Sequence, residues 1–208
     1  MRLTVFGATG RTGRPVVTQA LDRGHEVRAF LRDPAKLEVD HAGLQVVEGD
    51  AYTGEGIGDA VQGVDAVVSV LGQTETGPAD LLTVAGRRIM DEMERAGVDR
   101  FVTLVGAGVR IEGEDRSLAG RLIGMLLKLL NPEVLADAEG HVSDVRSRDL
   151  RWTVVRAPRL SEAPPRGEYR TGDVTPGRQA VARADVADFI LAVLEDARYV
   201  GALPKIAY

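Results

Sequence analysis

Residues 2–13, RLTVFGATGRTG, decide the fold of this chain. Residues 3–6 are apolar or β-branched, as in a buried strand, and the glycine-rich stretch GATGRTG follows directly. Residues 13–22 then have the pattern of an amphipathic helix, which ends at Arg23-Gly24, where glycine suits a helix C-cap. The chain therefore begins with a strand, a glycine-rich turn and a helix.

Strands and helices alternate along the first half of the chain. The predicted strands are residues 26–31, 44–48, 65–71, 100–105, 152–156, a short piece within 167–174, and 203–208. The predicted helices are residues 55–62, 80–96, 118–130, 132–148 and 183–195, with a proline-rich loop at 157–167. Such alternation implies βαβ crossovers, and the continuous apolar strands imply a parallel sheet covered on both faces. We predict an α/β, Rossmann-type doubly wound sheet with a small C-terminal substrate lobe.

Composition limits the class of protein. The 208 residues suit a single domain, 1–208, with a core of about residues 1–108 and a substrate-side portion of about 109–208. A net charge of −5 argues against nucleic-acid binding. Cysteine is absent, the three histidines lack ligand spacing, and the longest apolar run, 122–130, contains a lysine. We expect no metal site and no membrane association, and a cytoplasmic location.

The glycines of the turn are spaced GxxGxxG, and each has a physical task. One permits a sharp turn, one lets a pyrophosphate approach the backbone, and one lets helix and strand pack closely. The free N–H groups and the positive dipole end of the following helix attract phosphate. This context predicts a dinucleotide site, and the alternative is a tight turn without a ligand.

The end of the second strand separates the two nicotinamide cofactors. Arg32 comes first after this strand and Lys36 follows four residues later, a pair that suits a 2′-phosphate. We therefore favour NADP(H). Asp33 keeps NAD(H) possible if its carboxylate faces the ribose, and the two cations could also be ordinary surface charge.

Two further strand ends are predicted to contact the cofactor. Asp50, after the third strand, is placed to accept a hydrogen bond from the adenine amino group. Leu71-Gly72, after the fourth, would pass near the adenine ribose. Both lie at carboxyl ends of strands, where ligands of open α/β sheets bind.

The motifs GATGRTG, FLRDPAKL, VVEGDA and VVSVLG, with the later stretches WTVVRAPRLSEAPPRGEYRTG and ADVADFILAVLEDARYVG, resemble a known family over essentially the whole chain. It is that of the atypical short-chain dehydrogenases/reductases of the NAD(P)H-binding, NmrA-like group, and within it the NADPH-dependent flavin reductases of the biliverdin reductase B type. The resemblance implies cofactor contacts at Gly7, Thr9, Gly10, Arg11, Thr12, Gly13, Arg32, Lys36, Asp50, Ala51, Leu71 and Gly72. It also implies that the nicotinamide lies near Val105, Gly106, Pro158 and Arg159.

The departures from that family concern the proton donor. The typical short-chain dehydrogenase acid is a tyrosine with a lysine four residues later, and none of the four tyrosines here has such a lysine. Gly106 stands where the subgroup commonly has a serine. Arg159 corresponds to one histidine of the flavin reductases, and a residue near Ala138 corresponds to a second.

Reduction of a flavin, quinone or similar planar acceptor survives these losses, because solvent can supply the proton after direct hydride transfer. Arg159 is a candidate catalytic residue that stabilises charge on the reduced acceptor; the alternative is a surface arginine or a pair with Glu162. His141 is expected to be structural. The competing interpretations are a non-catalytic NADP(H)-binding sensor and a sugar-nucleotide epimerase or reductase.

The helix at residues 118–130 carries one apolar face and is the feature that bears on assembly. We expect this face to pack on the core of the second half, with a lid or a dimer contact as alternatives. The expected state of the protein is a monomer or a weak homodimer.

Overall fold

The structure is a computed structural model that describes residues 1–74, 76–109, 131–177 and 179–208. In chain order the strands are β1 (Arg2–Phe6), β2 (Glu26–Leu31), β3 (Leu44–Glu48), β4 (Ala66–Ser69), β5 (Arg100–Gly106), β6 (Arg151–Ala157), β7 (Leu160–Ser161), β8 (Arg170–Gly172), β9 (Val181–Ala182) and β10 (Lys205–Ala207). The α-helices are α1 (Gly13–Asp22), α2 (Ile57–Val61), α3 (Leu81–Ala96), α4 (Pro132–Ser147) and α5 (Arg183–Glu195). A 3-10 turn, Pro34–Lys36, follows β2.

The described residues form a sheet of eight strands in the order β3-β2-β1-β4-β5-β6-β10-β8. Neighbouring strands are parallel except β10 and β8, which are antiparallel. The first six strands have the order of a doubly wound dinucleotide-binding sheet, in which the strand order reverses between β1 and β4. The predicted Rossmann-type α/β fold is confirmed.

Apolar cores cover both faces of the sheet. One core contains residues of α1 and α5, and the other contains residues of α2, α3 and α4. Val, Leu, Ile and Ala dominate both cores, as the low aromatic content requires, and Phe6 packs against Phe30 with ring centroids 4.7 Å apart. Because both faces are covered, the carboxyl edge of the parallel strands is the open place for a ligand.

Most predicted bounds agree with the structure to within three residues. The prediction that residues 157–167 form only a loop is wrong, because Leu160–Ser161 pairs with Val181–Ala182 as β7 and β9. Two-residue strands are too short to produce a readable side-chain alternation. The predicted helix at 118–130 lies outside the described residues. Among the helices that the structure describes, none is long and apolar enough to cross a membrane.

Candidate active site

The glycine turn between β1 and α1 is closed by its own backbone. Gly7 has a φ of +81°, and a Cβ there would lie 2.8 Å from the carbonyl oxygen of Val70. A Cβ on Gly13 would lie only 2.0 Å from the carbonyl oxygen of Gly7. The amide of Gly10 donates to that same oxygen at 2.9 Å. Glycine at these points therefore lets α1 begin directly above the end of β1.

The positive end of α1 carries no acidic side chain in its first turn. Thr9 is half-buried and Gly10 and Arg11 are exposed, whereas Thr12 is buried. Backbone N–H groups and an arginine at a helix N-terminus suit a phosphate group. The close-packed glycines and this charge fit the pyrophosphate of a nicotinamide dinucleotide.

Arg14 joins the glycine turn to the loop after β2, a contact that sequence reasoning missed. Its guanidinium donates from Nε to the carbonyl oxygen of Thr9 at 3.2 Å and from Nη2 to that of Lys36 at 2.8 Å. The only sequence signal is an arginine immediately after the third glycine of the motif. The bridge brings the loop that carries Arg32 beside the turn.

In that loop, the carboxylate of Asp33 is engaged by its own backbone turn. It accepts a hydrogen bond from the amide of Ala35 at 3.1 Å and lies 3.4 Å from Nζ of Lys36. Arg32 and Lys36 are exposed. The acidic group that could have faced a ribose is thus committed locally, while the adjacent arginine is accessible.

Asp50 and Ala51 follow β3, as predicted. The Asp50 carboxylate accepts a hydrogen bond from the amide of Tyr52 at 2.8 Å and is half-buried, and Ala51 is buried. Leu71 is half-buried and Gly72 exposed just beyond β4, and a Cβ on Gly72 would meet no atom of a described residue within 4 Å. These residues lie at the carboxyl ends of neighbouring strands.

The two candidate catalytic positions lie at the ends of the neighbouring strands β5 and β6. Gly106 is the last residue of β5 and pairs with Ala157, the residue before Pro158. Gly106 is exposed, and no heavy atom of the residues that the structure describes lies within 4 Å of a Cβ built on it. Val105 is buried, Pro158 is half-buried and Arg159 is exposed.

The backbone of Arg159 is fixed by the small β7–β9 sheet, since its carbonyl accepts a hydrogen bond from the amide of Val181 at 2.9 Å. Glu162, the alternative ion-pair partner considered for Arg159, instead accepts a hydrogen bond from Nε of Arg183 at 2.7 Å. The strand end therefore presents an arginine side chain on an anchored backbone.

Every tyrosine hydroxyl of the chain is hydrogen-bonded to another side chain. Three bond to carboxylates and one bonds to a threonine; the pairs are Tyr52 with Asp80, Tyr169 with Asp188, Tyr208 with Asp185 and Tyr199 with Thr171. Burial, together with the adjacent carboxylate, raises the pKa of both Tyr169 and Tyr208. These phenols stay protonated at neutral pH and hold the structure together.

His141, on α4, is a buried structural histidine, as predicted. Its Nε2 lies 3.0 Å from the hydroxyl of Thr103 on β5, and its ring packs against Gly86, where a Cβ would lie 2.4 Å from Nδ1. Burial lowers the pKa of His141 to about 4. The ring is neutral at physiological pH and is enclosed between α3 and β5.

Two buried aspartates that sequence reasoning missed fix the helices around the site. Asp137 on α4 accepts hydrogen bonds from the amides of Leu82 and Thr83 at 2.9 and 2.8 Å, so it caps the N-terminus of α3. Asp185, in the first turn of α5, accepts from the amides of Arg166 and Gly167 at 2.9 and 3.0 Å. Asp185 thereby ties the loop after β7 to α5.

A cavity of about 420 Å³ lies beside β8 and the end of β10. Its lining residues are Arg166, Glu168, Tyr169, Arg170, Gln179 and Tyr208. None of the residues predicted from the sequence lines it, so the candidate site is the open strand edge rather than this cavity. Among the described residues, no group of three or more potential ligands could hold a metal ion.

The chain is similar to several known proteins. The chain is 27% identical over 204 residues to YwnB of Bacillus subtilis (strain 168), covering 94% of this chain and 92% of that protein. It is 33% identical over 126 residues to a 3-beta-hydroxysteroid dehydrogenase of Mycolicibacterium neoaurum, covering 55% of this chain and only 34% of that protein. The structure of ChuY, an anaerobilin reductase of Escherichia coli O157:H7, superposes with a TM-score of 0.83 at 20% identity, covering 100% of this chain and 97% of that one.

A family model described as NAD(P)H-binding matches residues 7–197, from the first glycine of the turn to the residues that follow α5. The match therefore includes both the glycine turn and the strand ends that carry Gly106 and Arg159. The chain belongs to the NAD(P)H-binding family.

Proposed function

We propose that this protein is an NADPH-dependent reductase of a flavin, a quinone or a similar planar acceptor, and that it works without a tyrosine–lysine proton relay. The observation that carries the proposal is a contrast within one edge of the sheet. After β1, a close-packed glycine turn leads into a helix without an acidic residue in its first turn, whereas at the end of β5 no described residue fills the space beside Gly106. When bound, NADPH supplies the hydride.

The residues proposed to hold the cofactor are those of the glycine turn, the loop after β2 and the ends of β3 and β4. Arg32 and Lys36 are proposed to contact the 2′-phosphate, which is supported by the local engagement of Asp33 with Ala35. Asp50 and Ala51 are proposed to contact the adenine. Val105 and Pro158 are proposed to flank the nicotinamide.

At the acceptor end, the space beside Gly106, which no described residue fills, is proposed to admit a flat ring system, and Arg159 is proposed to stabilise the negative charge that the acceptor gains. A planar acceptor can take its proton from water after reduction, so a positioned protein acid is not needed. Alcohol and carbonyl chemistry does need one, and the tyrosine hydroxyls are committed to other partners.

A second candidate function is an NADP(H)-binding sensor without catalysis. The same observation favours it, because Gly106 provides no side chain for chemistry and the tyrosines are engaged elsewhere. A sensor binds the cofactor as tightly as a reductase does but transfers no hydride.

Steady-state oxidation of NADPH and NADH separates these functions. The panel contains FMN, FAD, riboflavin, a quinone and biliverdin, the last because a structural relative is an anaerobilin reductase. A 3β-hydroxysteroid with NADP⁺ is the control for relay-dependent chemistry, chosen from the steroid dehydrogenase relative. We expect NADPH oxidation with at least one planar acceptor and no reduction of NADP⁺ with the steroid. Cofactor binding without turnover on any acceptor contradicts the reductase and establishes the sensor.

A further inference from the structure

An exposed glutamate connects two arginines beside the glycine turn. Oε1 of Glu162, just after β7, accepts a hydrogen bond from Nε of Arg183 at 2.7 Å and lies 3.8 Å from Nε of Arg11. Arg11 is the residue of the turn that is predicted to meet the pyrophosphate. The glutamate thus occupies the position of an anion between two cations.

Arg183 is the more deliberately placed of the two arginines. Its side chain is only 15% exposed, and its Nη1 donates to the hydroxyl of Thr12 at 2.9 Å, a contact between residues 171 positions apart in the chain. Thr12 is the N-cap residue of α1, yet its hydroxyl makes no capping bond to its own helix. The first residue of α5 therefore fixes a side chain of the turn at the start of α1.

A guanidinium at a helix N-terminus is electrostatically unfavourable unless an anion lies beside it, because that end carries a partial positive charge. The end of α1 collects Arg11 and Arg183, and it has no acidic residue in its own first turn. Glu162 supplies the compensating negative charge from another part of the chain. A pyrophosphate would supply two.

We propose that Glu162 is a displaceable counter-anion of the pyrophosphate site, and that Arg183 is a positioning residue that acts on the turn through Thr12. The inference rests on the proposed binding of NADPH. The glutamate must release Arg11 before that arginine can contact a phosphate, so the carboxylate competes with the cofactor. Removing its charge should strengthen NADPH binding, although it breaks a native ion pair.

The test is a fluorescence or calorimetric titration of NADPH into wild type, Glu162→Gln and Glu94→Gln, without any acceptor. Glu94 pairs with Arg148 at 3.0 Å near the end of α3, at the opposite edge of the sheet, so it is a charge-matched control. We expect Glu162→Gln to bind NADPH about twofold to fivefold more tightly, as the modest strength of an exposed pair dictates. Glu94→Gln should bind it as wild type does.

Adenosine 2′-monophosphate, which lacks the pyrophosphate, locates the effect. Its affinity should be the same for wild type and Glu162→Gln. Unchanged or weaker NADPH binding by Glu162→Gln overturns the proposal, as does equal tightening of both ligands. Because no acceptor is present, these outcomes do not depend on whether the protein proves to be a reductase or a sensor.

Two variants of Arg183 test its positioning role. Arg183→Gln should weaken NADPH binding about fivefold, and Arg183→Lys, which keeps the charge, should restore part of the loss. Both should leave adenosine 2′-monophosphate binding unchanged, which a general loss of structure would not. Equal loss of affinity for both ligands overturns the role of Arg183, and a thermal unfolding curve for each variant verifies that it is folded.

Discussion

Two glycine-bearing strand ends on the same edge of the sheet differ in what surrounds them. In the turn after β1, backbone atoms fill the space that a Cβ would need. A Cβ on Gly13, the first residue of α1, would lie 2.0 Å from the carbonyl oxygen of Gly7. At the end of β5, no heavy atom from the described part of the chain lies within 4 Å of a Cβ on Gly106. Packing requires glycine at Gly13, and no described residue requires it at Gly106. The proposed cofactor end of the site is therefore built by the backbone, whereas no described residue closes the proposed acceptor end.

The largest expected effect is at the close-packed end. Gly13→Ala should destabilise the protein by at least about 3 kcal/mol, because its Cβ collides with backbone that cannot move aside. Gly106→Ala is the matched control and should change the free energy of unfolding by less than about 1 kcal/mol. Urea unfolding of both variants measures the difference. Similar stability of the two variants contradicts the contrast between the strand ends.

The burial of His141 has a consequence for stability. Between pH 6.5 and about 4, the unfolded chain binds a proton at His141 that the folded chain does not, so acidification costs stability across this window. At pH 5 the contribution is about 2 kcal/mol. Urea unfolding at pH 7 and pH 5 should show a smaller loss for His141→Gln than for wild type. An equal loss in both proteins contradicts the buried neutral state.

Arg32→Gln tests whether the proposed cofactor end selects NADPH over NADH. Losing one charge-assisted contact to the 2′-phosphate should weaken NADPH binding about tenfold and leave NADH binding unchanged. Titration of both cofactors measures the preference. Arg95→Gln, an exposed arginine paired with Glu92 on α3, is the control and should alter neither affinity. If Arg32→Gln weakens NADH as much as NADPH, Arg32 does not select the phosphate.

The acceptor end is tested by Arg159→Ala. The side chain is exposed, so the loss of kcat should be about fivefold, far below the roughly 10²–10³-fold cost of losing a buried oxyanion donor. Steady-state turnover with the preferred acceptor measures it, and the KM for NADPH should not change. Arg151→Ala, at the opposite end of β6, is the control. Unchanged kcat in Arg159→Ala removes this residue from the reaction.

The sequence predicts local patterns well and contacts between distant residues poorly. The β1–turn–α1 unit and the alternation of strands and helices are local patterns, and their predicted bounds agree with the structure because backbone geometry imposes a period on the side chains. The pairing of β7 with β9 was missed because two residues carry no period. Arg14 and Arg183 were missed because their partners, the carbonyl of Lys36 and the hydroxyl of Thr12, are distant in sequence.

The most direct test of the central claim is single-turnover stopped-flow reduction of the preferred planar acceptor by the wild-type NADPH complex. The reaction is measured with protiated and 4-deuterated NADPH, each in H₂O and D₂O. If hydride transfer needs no positioned protein acid, deuterated NADPH should slow the reaction, while D₂O should leave its rate unchanged. A solvent isotope effect on that step, or tightly bound NADPH that no acceptor oxidises, would contradict the account.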